Sequence, residues 1–243
     1  MISKEKLKSK PLPSHIAIIL DGNGRWAKRR GRSRSYGHRQ GALNIKHVAL
    51  EANEIGINVL SIFAFSTENW KRPQKEIDFL MELPKQFEEE TSKELDNSDV
   101  KIVFTGRKDR LSHYNRGLIE KMTDKTKDNS GVILNICFDY GSQDEIVATT
   151  KTLAKQVKNN EIRLDEIDES LFEKALYTKT LPPVDLMIRT SGEQRLSNFL
   201  LWQNAYAELY FTKTPWPAFK QKDLRKAIGD YQNRNRRFGG IKG

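Results

Sequence analysis

Residues 21–25 form a short polar run, Asp-Gly-Asn-Gly-Arg, of a kind that can surround a phosphate group. Gly22 and Gly24 flank Asn23, so the backbone can approach an anion closely, and the residues that follow could begin a helix whose N-terminus favours negative charge. Asp21 suits such a site only if a divalent cation such as Mg²⁺ bridges its carboxylate to phosphate oxygens. An ordinary Asp-Gly turn would explain the same residues without a ligand. The run is neither a Walker loop nor a dinucleotide fingerprint, because it lacks the Gly-Lys-Ser/Thr ending and the third spaced glycine.

Four arginines lie in or beside polar segments: Arg25, Arg34, Arg189 and Arg195. The planar guanidinium group suits bidentate contact with phosphate oxygens, and four such groups are enough for two diphosphates. For any one of them a solvated surface charge is the commoner role in a basic protein. Their shared position beside polar loops favours the binding role for the group.

Three further features each have a functional and a structural interpretation. Glu208 stands among apolar and aromatic residues, where it could be a second Mg²⁺ ligand or the salt-bridge partner of an arginine. Residues 69–73, Asn-Trp-Lys-Arg-Pro, are typical of a loop, which could close over a substrate or be an exposed connection with Trp70 packed on the next helix. His38 could donate to a phosphate or be a hydrogen-bonded structural residue. Cys137 is predicted to be part of the core.

These residues need regular elements to position them, and the apolar pattern predicts such elements. Short β-branched runs predict six strands, at 15–20, 59–65, 100–105, 132–138, 184–188 and 208–212. Segments with helical spacing lie at 43–55, 77–87 and 146–157, and Pro84 is expected to end or bend the second of them. The alternation predicts a single α/β domain with a central, mostly parallel six-stranded sheet flanked by helices.

The polar segments follow the predicted strands. Residues 21–25 follow the first strand, 66–70 the second, 139–141 the fourth and 189–193 the fifth. In parallel α/β sheets, ligands bind at the carboxyl ends of the strands. The sequence therefore predicts one active site at one edge of the sheet.

The composition fits one domain better than two, because 243 residues with 37% hydrophobic content can bury one sizeable core. We expect a basic N-terminal tail at residues 1–12 and one domain over 13–243. The net charge of +10 indicates anionic partners without choosing among nucleic acid, phosphorylated metabolites and an acidic membrane surface. The lysines are scattered rather than clustered with aromatic residues, which argues against nucleic-acid binding.

Localisation is predicted from what the sequence lacks. Cys137 is the only cysteine, which excludes an intrachain disulfide and a Cys-based zinc site and favours a reducing cytoplasm. Residues 1–13 lack the apolar stretch of a secretory signal. No stretch approaches the roughly 20 apolar residues that cross a bilayer, so any membrane contact is expected to be peripheral, at the inner face of the membrane.

Taken together, the motifs of this chain resemble those of the cis-prenyltransferase family, and within it the bacterial undecaprenyl diphosphate synthases. The matching segments follow the family's order over about residues 13–240, nearly the whole chain. They are DGNGRWA at 21–27, GH at 37–38, FSTENW at 65–70 with RP at 72–73, DLMIRTSGE at 185–193, RLSNF at 195–199, AYAELYF at 205–211, WP at 216–217 and RFGG at 237–240. The Asp-rich DDxxD motif of trans-prenyltransferases is absent.

The resemblance implies a role for each matching residue. Asp21 would bind Mg²⁺ and assist departure of the allylic diphosphate, and Glu208 would be a metal ligand near isopentenyl diphosphate. Asn69 would take part in proton removal by positioning an acceptor, since an amide is not a base near neutral pH. The residues that hold the allylic diphosphate would be Gly22, Asn23, Gly24, Arg25, Trp26, Arg34 and His38. The substrate-binding loop would comprise Ser66, Thr67, Glu68, Trp70 and Arg72. The isopentenyl diphosphate site would comprise Arg189, Arg195, Leu196 and Ser197.

The implied reaction adds isopentenyl diphosphate units to an allylic diphosphate, expected to be farnesyl diphosphate, and makes a long-chain (Z)-polyprenyl diphosphate. Undecaprenyl diphosphate, the lipid-carrier precursor for cell-wall synthesis, is the expected product. Mg²⁺ and arginines would stabilise the leaving diphosphate without a covalent nucleophile. The segment at 237–239 resembles one that reaches the partner's active site in a dimer, so a homodimer is expected.

Product length should depend on a hydrophobic tunnel, expected among Leu80, Met81, Phe87, Phe104 and Ile133. A cis-prenyltransferase with a different product length is the main alternative. A non-catalytic partner subunit is disfavoured, because such subunits lack the Asp-Gly-Asn-Gly-Arg run that is intact here.

One segment departs from the family pattern. The family usually carries Asn-Tyr-Gly-Gly-Arg after the fourth strand, whereas residues 139–143 of this chain are Asp-Tyr-Gly-Ser-Gln. The chain therefore loses an arginine and gains a carboxylate, Asp139, beside the predicted site. Activity is still expected, because the residues assigned to metal and diphosphate binding are all present.

Overall fold

Six parallel strands form the central sheet in a computed structural model that describes residues 2–235, apart from the side chains of residues 92, 93, 95 and 96. The strand order is β3-β4-β2-β1-β5-β6, and each neighbouring pair is parallel. The strands are β1 (His15–Ile19), β2 (Val59–Ser66), β3 (Lys101–Thr105), β4 (Ile133–Tyr140), β5 (Leu186–Arg189) and β6 (Glu208–Phe211). The predicted α/β sheet is thus confirmed, with strand ends within two residues of those predicted.

Helices connect the strands and cover the sheet. They are α1 (Lys4–Lys8), α2 (Asn23–Lys28), α3 (Arg34–Ile55), α4 (Gln74–Asp96), α5 (His113–Lys125), α6 (Ser142–Lys158), α7 (Glu169–Ala175) and α8 (Gln221–Tyr231). Short 3-10 turns occupy Thr67–Lys71, Leu164–Glu166 and Trp216–Ala218. Within residues 2–235, none of the helices has the length and apolar character to span a membrane.

The strand order reverses beside β1. The chain passes from β1 to β2 on one side and later returns to β5 on the other. At such a switch point the loops that follow the two neighbouring strands diverge and leave a crevice for a ligand. Asp21 follows β1 and Arg189 ends β5, so both residues lie at this crevice.

A chain of buried polar side chains crosses the middle of the sheet. His15 Nε2 lies 2.7 Å from Ser61 Oγ, Asn135 Nδ2 donates to the same hydroxyl at 2.9 Å, and Thr105 Oγ1 donates to Asn135 Oδ1 at 2.7 Å. All four side chains are buried, and each forms a hydrogen bond with its neighbour in the set. Buried polar groups without such bonds would destabilise the fold. We call this set of four residues the polar ladder.

The segment predicted as a basic N-terminal tail contains the helix α1. The side chain of Leu7, in α1, is buried in the main core, and α1 contacts α3 and α8. Lys4 pairs with Glu54 and lies 3.6 Å from Glu51. Although this segment is rich in lysine, it therefore contains one apolar residue, Leu7, that anchors it to the domain.

Helix α4 continues through Pro84 instead of ending there. Leu80 and Phe87 are buried on either side of the proline, and α4 packs against α3 and α5. Tertiary burial of both halves offsets the lost backbone hydrogen bond, which is why the helix does not end at Pro84. The alternative expectation, a bend at Pro84, stays a prediction. Pro84 itself lines the cavity described next.

Candidate active site

A cavity of about 670 Å³ opens at the carboxyl ends of the strands, where the sequence predicted the site. Its mouth is polar and its interior is apolar. The predicted site residues that line it are Asp21, Asn23, His38, Ser66, Glu68, Asn69, Arg72, Arg189, Arg195 and Ser197. Segments far apart in sequence, after β1, β2 and β5, therefore share one cavity.

The apolar interior agrees in part with the predicted tunnel. Leu80, Phe87 and Phe104 line it, whereas Met81 and Ile133 do not. Met81 packs against the core at a different face of α4, and Ile133 begins β4 at the end of the sheet opposite the mouth. Other lining residues extend the apolar wall: Ile45, Leu83, Met122, Ile136 and Phe138.

The Asp21 carboxylate is held from three directions at the mouth. The Gly22 N–H donates to Oδ1 at 2.8 Å, Arg189 donates to Oδ2 at 3.0 Å, and the Arg25 guanidinium lies 3.5 Å from Oδ1. The hydroxyl of Thr190 accepts the Asp21 N–H at 2.9 Å and lies 2.8 Å from the Asp21 carbonyl, which ties the ends of β1 and β5 together. The carboxylate is therefore fixed in the crevice with positive charge on two sides.

Glycine is required at position 22 by both conformation and space. Its φ is 97°, in the left-handed region, and a Cβ there would lie 2.5 Å from Ser191 Oγ. Helix α2 begins at the next residue, Asn23. Two glycines of α3 allow α2 to approach closely, since a Cβ would lie 2.2 Å from the Asn23 carbonyl oxygen at Gly37 and 2.4 Å from Asn23 Oδ1 at Gly41.

Arg189 organises the β5 side of the mouth. Its side chain is only 4% exposed and donates to Ser197 Oγ at 2.8 Å and to the Arg195 carbonyl, in addition to Asp21. Glu193 lies between two other arginines, 3.0 Å from Arg25 and 2.6 Å from Arg195. The hydrogen bond from Arg195 lowers the pKa of the Glu193 carboxyl. This side of the mouth thus gathers three of the four predicted arginines.

The fourth arginine belongs to a second cluster, around Glu76. This carboxylate lies 3.2 Å from Arg34 Nε, 2.8 Å from Arg72 NH1 and 3.8 Å from His38 Nε2. Burial, followed by the charges of Arg34 and Arg72, lowers the pKa of His38 to about 4, so the imidazole is neutral near pH 7. Sequence reasoning missed Glu76, although its i,i+4 spacing from Arg72 at the start of α4 was a usable signal.

The Thr67–Lys71 segment forms the β2–α4 turn at the mouth. Asn69 Oδ1 accepts the Ser66 N–H at 3.1 Å, and within residues 2–235 the NH2 group of Asn69 has no hydrogen-bond partner. Glu68 accepts from Asn198 Nδ2 at 2.9 Å. Asn198, also missed by sequence reasoning, lines the cavity and accepts the Gln143 N–H at 2.8 Å. It therefore joins the β2–α4 turn to the segment that departs from the family pattern.

The remaining predicted site residues do not line the cavity: Gly22, Gly24, Arg25, Trp26, Arg34, Thr67, Trp70, Leu196 and Glu208. Trp26 stacks on Tyr36, and Leu196 packs against the smaller of the two hydrophobic clusters. Cys137 is a buried core residue, as predicted.

Glu208 is not brought to Asp21 within one chain. It begins β6 opposite Leu186, whereas Arg189, which contacts Asp21, pairs with Phe211 three residues further along. Three residues span roughly 10 Å of strand. Glu208 instead accepts from Arg234 at 2.9 Å, the salt bridge that was the alternative interpretation. Among residues 2–235 there is no group of three His, Cys, Asp or Glu side chains that could hold a metal ion.

Comparisons with known proteins agree on one family. A model of the family described as "Putative undecaprenyl diphosphate synthase" matches residues 19–239. An isoprenyl transferase of Bacillus cereus is 47% identical over 237 residues, which cover 98% of this chain and 92% of that protein. An isoprenyl transferase of Clostridium perfringens is 49% identical, covering 95% and 91%.

Solved structures show the same likeness. The lavandulyl diphosphate synthase of Lavandula x intermedia, in complex with dimethylallyl diphosphate, has a TM-score of 0.91 and 39% identity, covering 94% of this chain and 99% of that one. A "probable undecaprenyl diphosphate synthase" of Campylobacter jejuni has a TM-score of 0.76 and 34% identity, covering 93% and 98%.

Proposed function

This chain belongs to the undecaprenyl diphosphate synthase family of cis-prenyltransferases, and from that premise we propose that it adds isopentenyl diphosphate units to farnesyl diphosphate to make undecaprenyl diphosphate. One observation carries the proposal: an apolar cavity of about 670 Å³ has a mouth with two separate clusters of arginines. Two diphosphates and one growing hydrocarbon chain need such an arrangement.

The two arginine clusters are suited to two different diphosphates. Arg34, Arg72 and His38 would hold the allylic diphosphate, and Arg189, Arg195 and Ser197 the isopentenyl diphosphate. A carboxylate pairs with arginines in each cluster, Glu76 in the first and Glu193 in the second. A diphosphate carries more negative charge than one carboxylate, so it would compete for the same guanidinium groups.

Mg²⁺ fits the residues at the mouth. Magnesium is commonly bound by one or two carboxylates together with substrate phosphates, rather than by a cage of protein ligands. Asp21 supplies such a carboxylate at the cavity, and Glu208 of the same chain does not reach it. We propose that Asp21 holds Mg²⁺ together with a substrate diphosphate. The ion, when bound, would stabilise the charge that develops on the leaving diphosphate.

The side chains then have the following roles in the reaction. Arg34 and Arg72 stabilise the negative charge as the allylic diphosphate departs. The apolar wall excludes water from the allylic cation, and the double bond of isopentenyl diphosphate attacks it. Asn69, whose NH2 group is available, orients a water molecule or a diphosphate oxygen that accepts the proton lost from C2.

We also propose a peripheral contact with an anionic membrane, which would receive the product. Exposed cations extend from the end of α2 into the first two turns of α3, next to the mouth: Lys28, Arg29, Arg30, Arg32 and Arg39. The stacked rings of Trp26 and Tyr36 lie among them, with Arg30 over Trp26 at 4.2 Å. Basic and aromatic side chains together suit a headgroup layer. Retention on anionic but not neutral vesicles would support this contact, and equal retention on both would refute it.

A homodimer is proposed as well. The face near β6 exposes Leu209 and Tyr206, the latter 70% exposed, next to a groove of about 1040 Å³ that Trp202 and Leu181 help to line. These exposed apolar side chains and the groove beside them are the surface that a second copy of the chain would cover. The segment at 237–240 lies outside the described residues. A monomeric mass in solution with full activity would exclude the dimer.

The function is tested by incubating the purified protein with farnesyl diphosphate and labelled isopentenyl diphosphate, with and without Mg²⁺, and sizing the product. A Mg²⁺-dependent C55 product is expected. A shorter or longer product would keep the chemistry and correct the chain length. No product from farnesyl, geranyl or dimethylallyl diphosphate would overturn the proposal.

A further inference from the structure

Asp139, the carboxylate that departs from the family pattern, is fully buried at the end of β4. It is the extra residue of a β-bulge, because Phe65 pairs with Phe138 and Ser66 pairs with Tyr140. Its φ of 49° lies in the left-handed region, which Asp and Asn adopt more readily than other L residues. Bulges beside active sites re-aim a side chain. Here the bulge carries the carboxylate to the β2–α4 turn.

Among the residues that the structure describes, two side chains donate to the Asp139 carboxylate. The indole Nε1 of Trp70 donates to Oδ1 at 2.8 Å. Arg110, in the turn that precedes α5, donates through Nε to Oδ2 at 2.9 Å and through NH2 to Oδ1 at 2.5 Å. The same guanidinium lies 5.4 Å from the centre of the Trp70 ring. We call these three residues the Trp70–Asp139–Arg110 cluster.

The cluster holds the back of the β2–α4 turn, whose front is the mouth of the cavity. Glu68, Asn69 and Arg72 line the cavity, whereas Trp70 does not. The Trp70 ring packs edge-on against Phe65, with centroids 5.3 Å apart. A five-residue 3-10 segment has poor hydrogen-bond geometry of its own, so its position depends on such anchors.

We propose that Asp139 and Arg110 are positioning residues: by holding the Trp70 indole, they set where Asn69 and Arg72 stand at the mouth. Their role in turnover rests on the proposed function, whereas their hold on the turn does not. The ion pair also explains how this chain can carry an additional carboxylate, Asp139, near a diphosphate site. Bidentate pairing with Arg110 compensates the Asp139 charge, which a buried carboxylate requires and which limits its repulsion of the substrate.

Two single variants and their combination test the proposal. Trp70→Phe retains the ring against Phe65 and removes the N–H donor. Arg110→Gln removes the ion pair. Each is expected to lower kcat/KM by about tenfold to a hundredfold, because a catalytic group displaced by a fraction of an ångström loses its geometry. The double variant should be no slower than the slower single variant, because both changes act through the same carboxylate.

The matched control is Arg107→Gln. Arg107 lies in the same turn as Arg110, but its side chain pairs with Asp109 and Asp144 instead of Asp139. We expect its kcat/KM to stay within about twofold of wild type, as for a surface ion pair. A comparable loss of activity in this control would show that any disturbance of the turn slows the enzyme, and would overturn the specific role of the cluster.

Hydrogen exchange of the ligand-free protein separates this proposal from the proposed function. Backbone amides of residues 66–72 should exchange faster in Trp70→Phe and in Arg110→Gln, while those of residues 59–63 in β2 stay protected. This outcome would support the cluster even if the wild-type protein made no prenyl product. Wild-type exchange at 66–72 in both variants, or additive losses of kcat/KM in the double variant, would overturn the proposal.

Discussion

The carboxylate of Asp21 lies between the Arg189 and Arg25 guanidinium groups. In the proposed function it would hold a cation together with a bound diphosphate. Neither arginine can carry out this task alone, because a guanidinium group cannot coordinate a metal ion. The Gly22 N–H fixes the direction of the carboxylate. Charge at this one position is therefore expected to control turnover.

Asp21→Ala should lower turnover at least about a hundredfold, the scale of losing a principal charge-stabilising group. Asp21→Asn, which keeps the shape and an oxygen for the Gly22 N–H, should be impaired almost as much, because it lacks the charge. Steady-state kinetics with both diphosphate substrates measures the effect. Near-normal turnover of Asp21→Ala would remove this residue from the mechanism.

Glu76 and Glu193 each lie between two cationic side chains that would bind a diphosphate. Each carboxylate pairs with two guanidinium groups, which offsets the mutual repulsion of the like charges within each cluster. Their carboxylates must yield part of this contact when substrate binds. Preorganisation of this kind reduces the cost of ordering long side chains.

Among the elements, α2 and α3 together present the first polar run to the cavity. Helix α3 begins after Ser33, whose hydroxyl accepts the Tyr36 N–H, and carries Gly37 and Gly41 on the face toward α2. The backbone carbonyl of Asn23 occupies the space that a side chain at Gly37 would need. Helices α2 and α3 can therefore approach this closely only because Gly37 has no Cβ.

Gly37→Ala should displace α2 and lower kcat/KM by about tenfold or more, since small misplacements of catalytic groups are costly. Gly117→Ala in α5 is the matched control, because a Cβ there meets no atom within 4 Å. That control should keep its activity and gain roughly 0.5–1 kcal/mol of stability. Full activity of Gly37→Ala would show that α2 can shift without consequence.

For the whole molecule, the polar ladder makes stability depend on pH. Burial lowers the pKa of His15 from 6.5 to about 4, although hydrogen bonding to the Pro182 carbonyl and the charge of Asp185 oppose the change. The unfolded chain takes up this proton near pH 6.5 and the folded chain only near pH 4. Stability is therefore full above about pH 6.5 and is lost as the pH falls toward 4.

Urea unfolding at pH 7.5 and pH 5.0 measures this effect. His15 alone should contribute a loss of about 2 kcal/mol between these values. His38, whose pKa is also lowered to about 4, adds to the loss, whereas the raised pKa of the buried Glu145 acts in the opposite direction. The decisive comparison is therefore with His15→Gln, which should lose less stability over this interval than wild type. Equal losses in the two proteins would contradict the prediction.

Much of the fold could be predicted from the local pattern of apolar and polar residues. Each strand is a short apolar run bounded by polar residues, and burial on both faces of a parallel sheet produces such runs. Pro84 shows the limit of local reasoning, since its helix continues because both halves are buried against other elements. Leu7 shows the same limit, because one buried side chain joins a lysine-rich segment to the core.

By itself, the sequence determined the strands, the edge of the sheet where the site lies, and most of the polar residues that line the cavity. Only the tertiary structure decided how those residues are grouped: Glu76 with Arg34 and Arg72, Asp139 with Trp70 and Arg110, and Glu208 with Arg234. The physical reason is distance along the chain. Apolar periodicity acts over a few neighbouring residues, whereas a buried charge selects a partner that is close in space and can be remote in sequence.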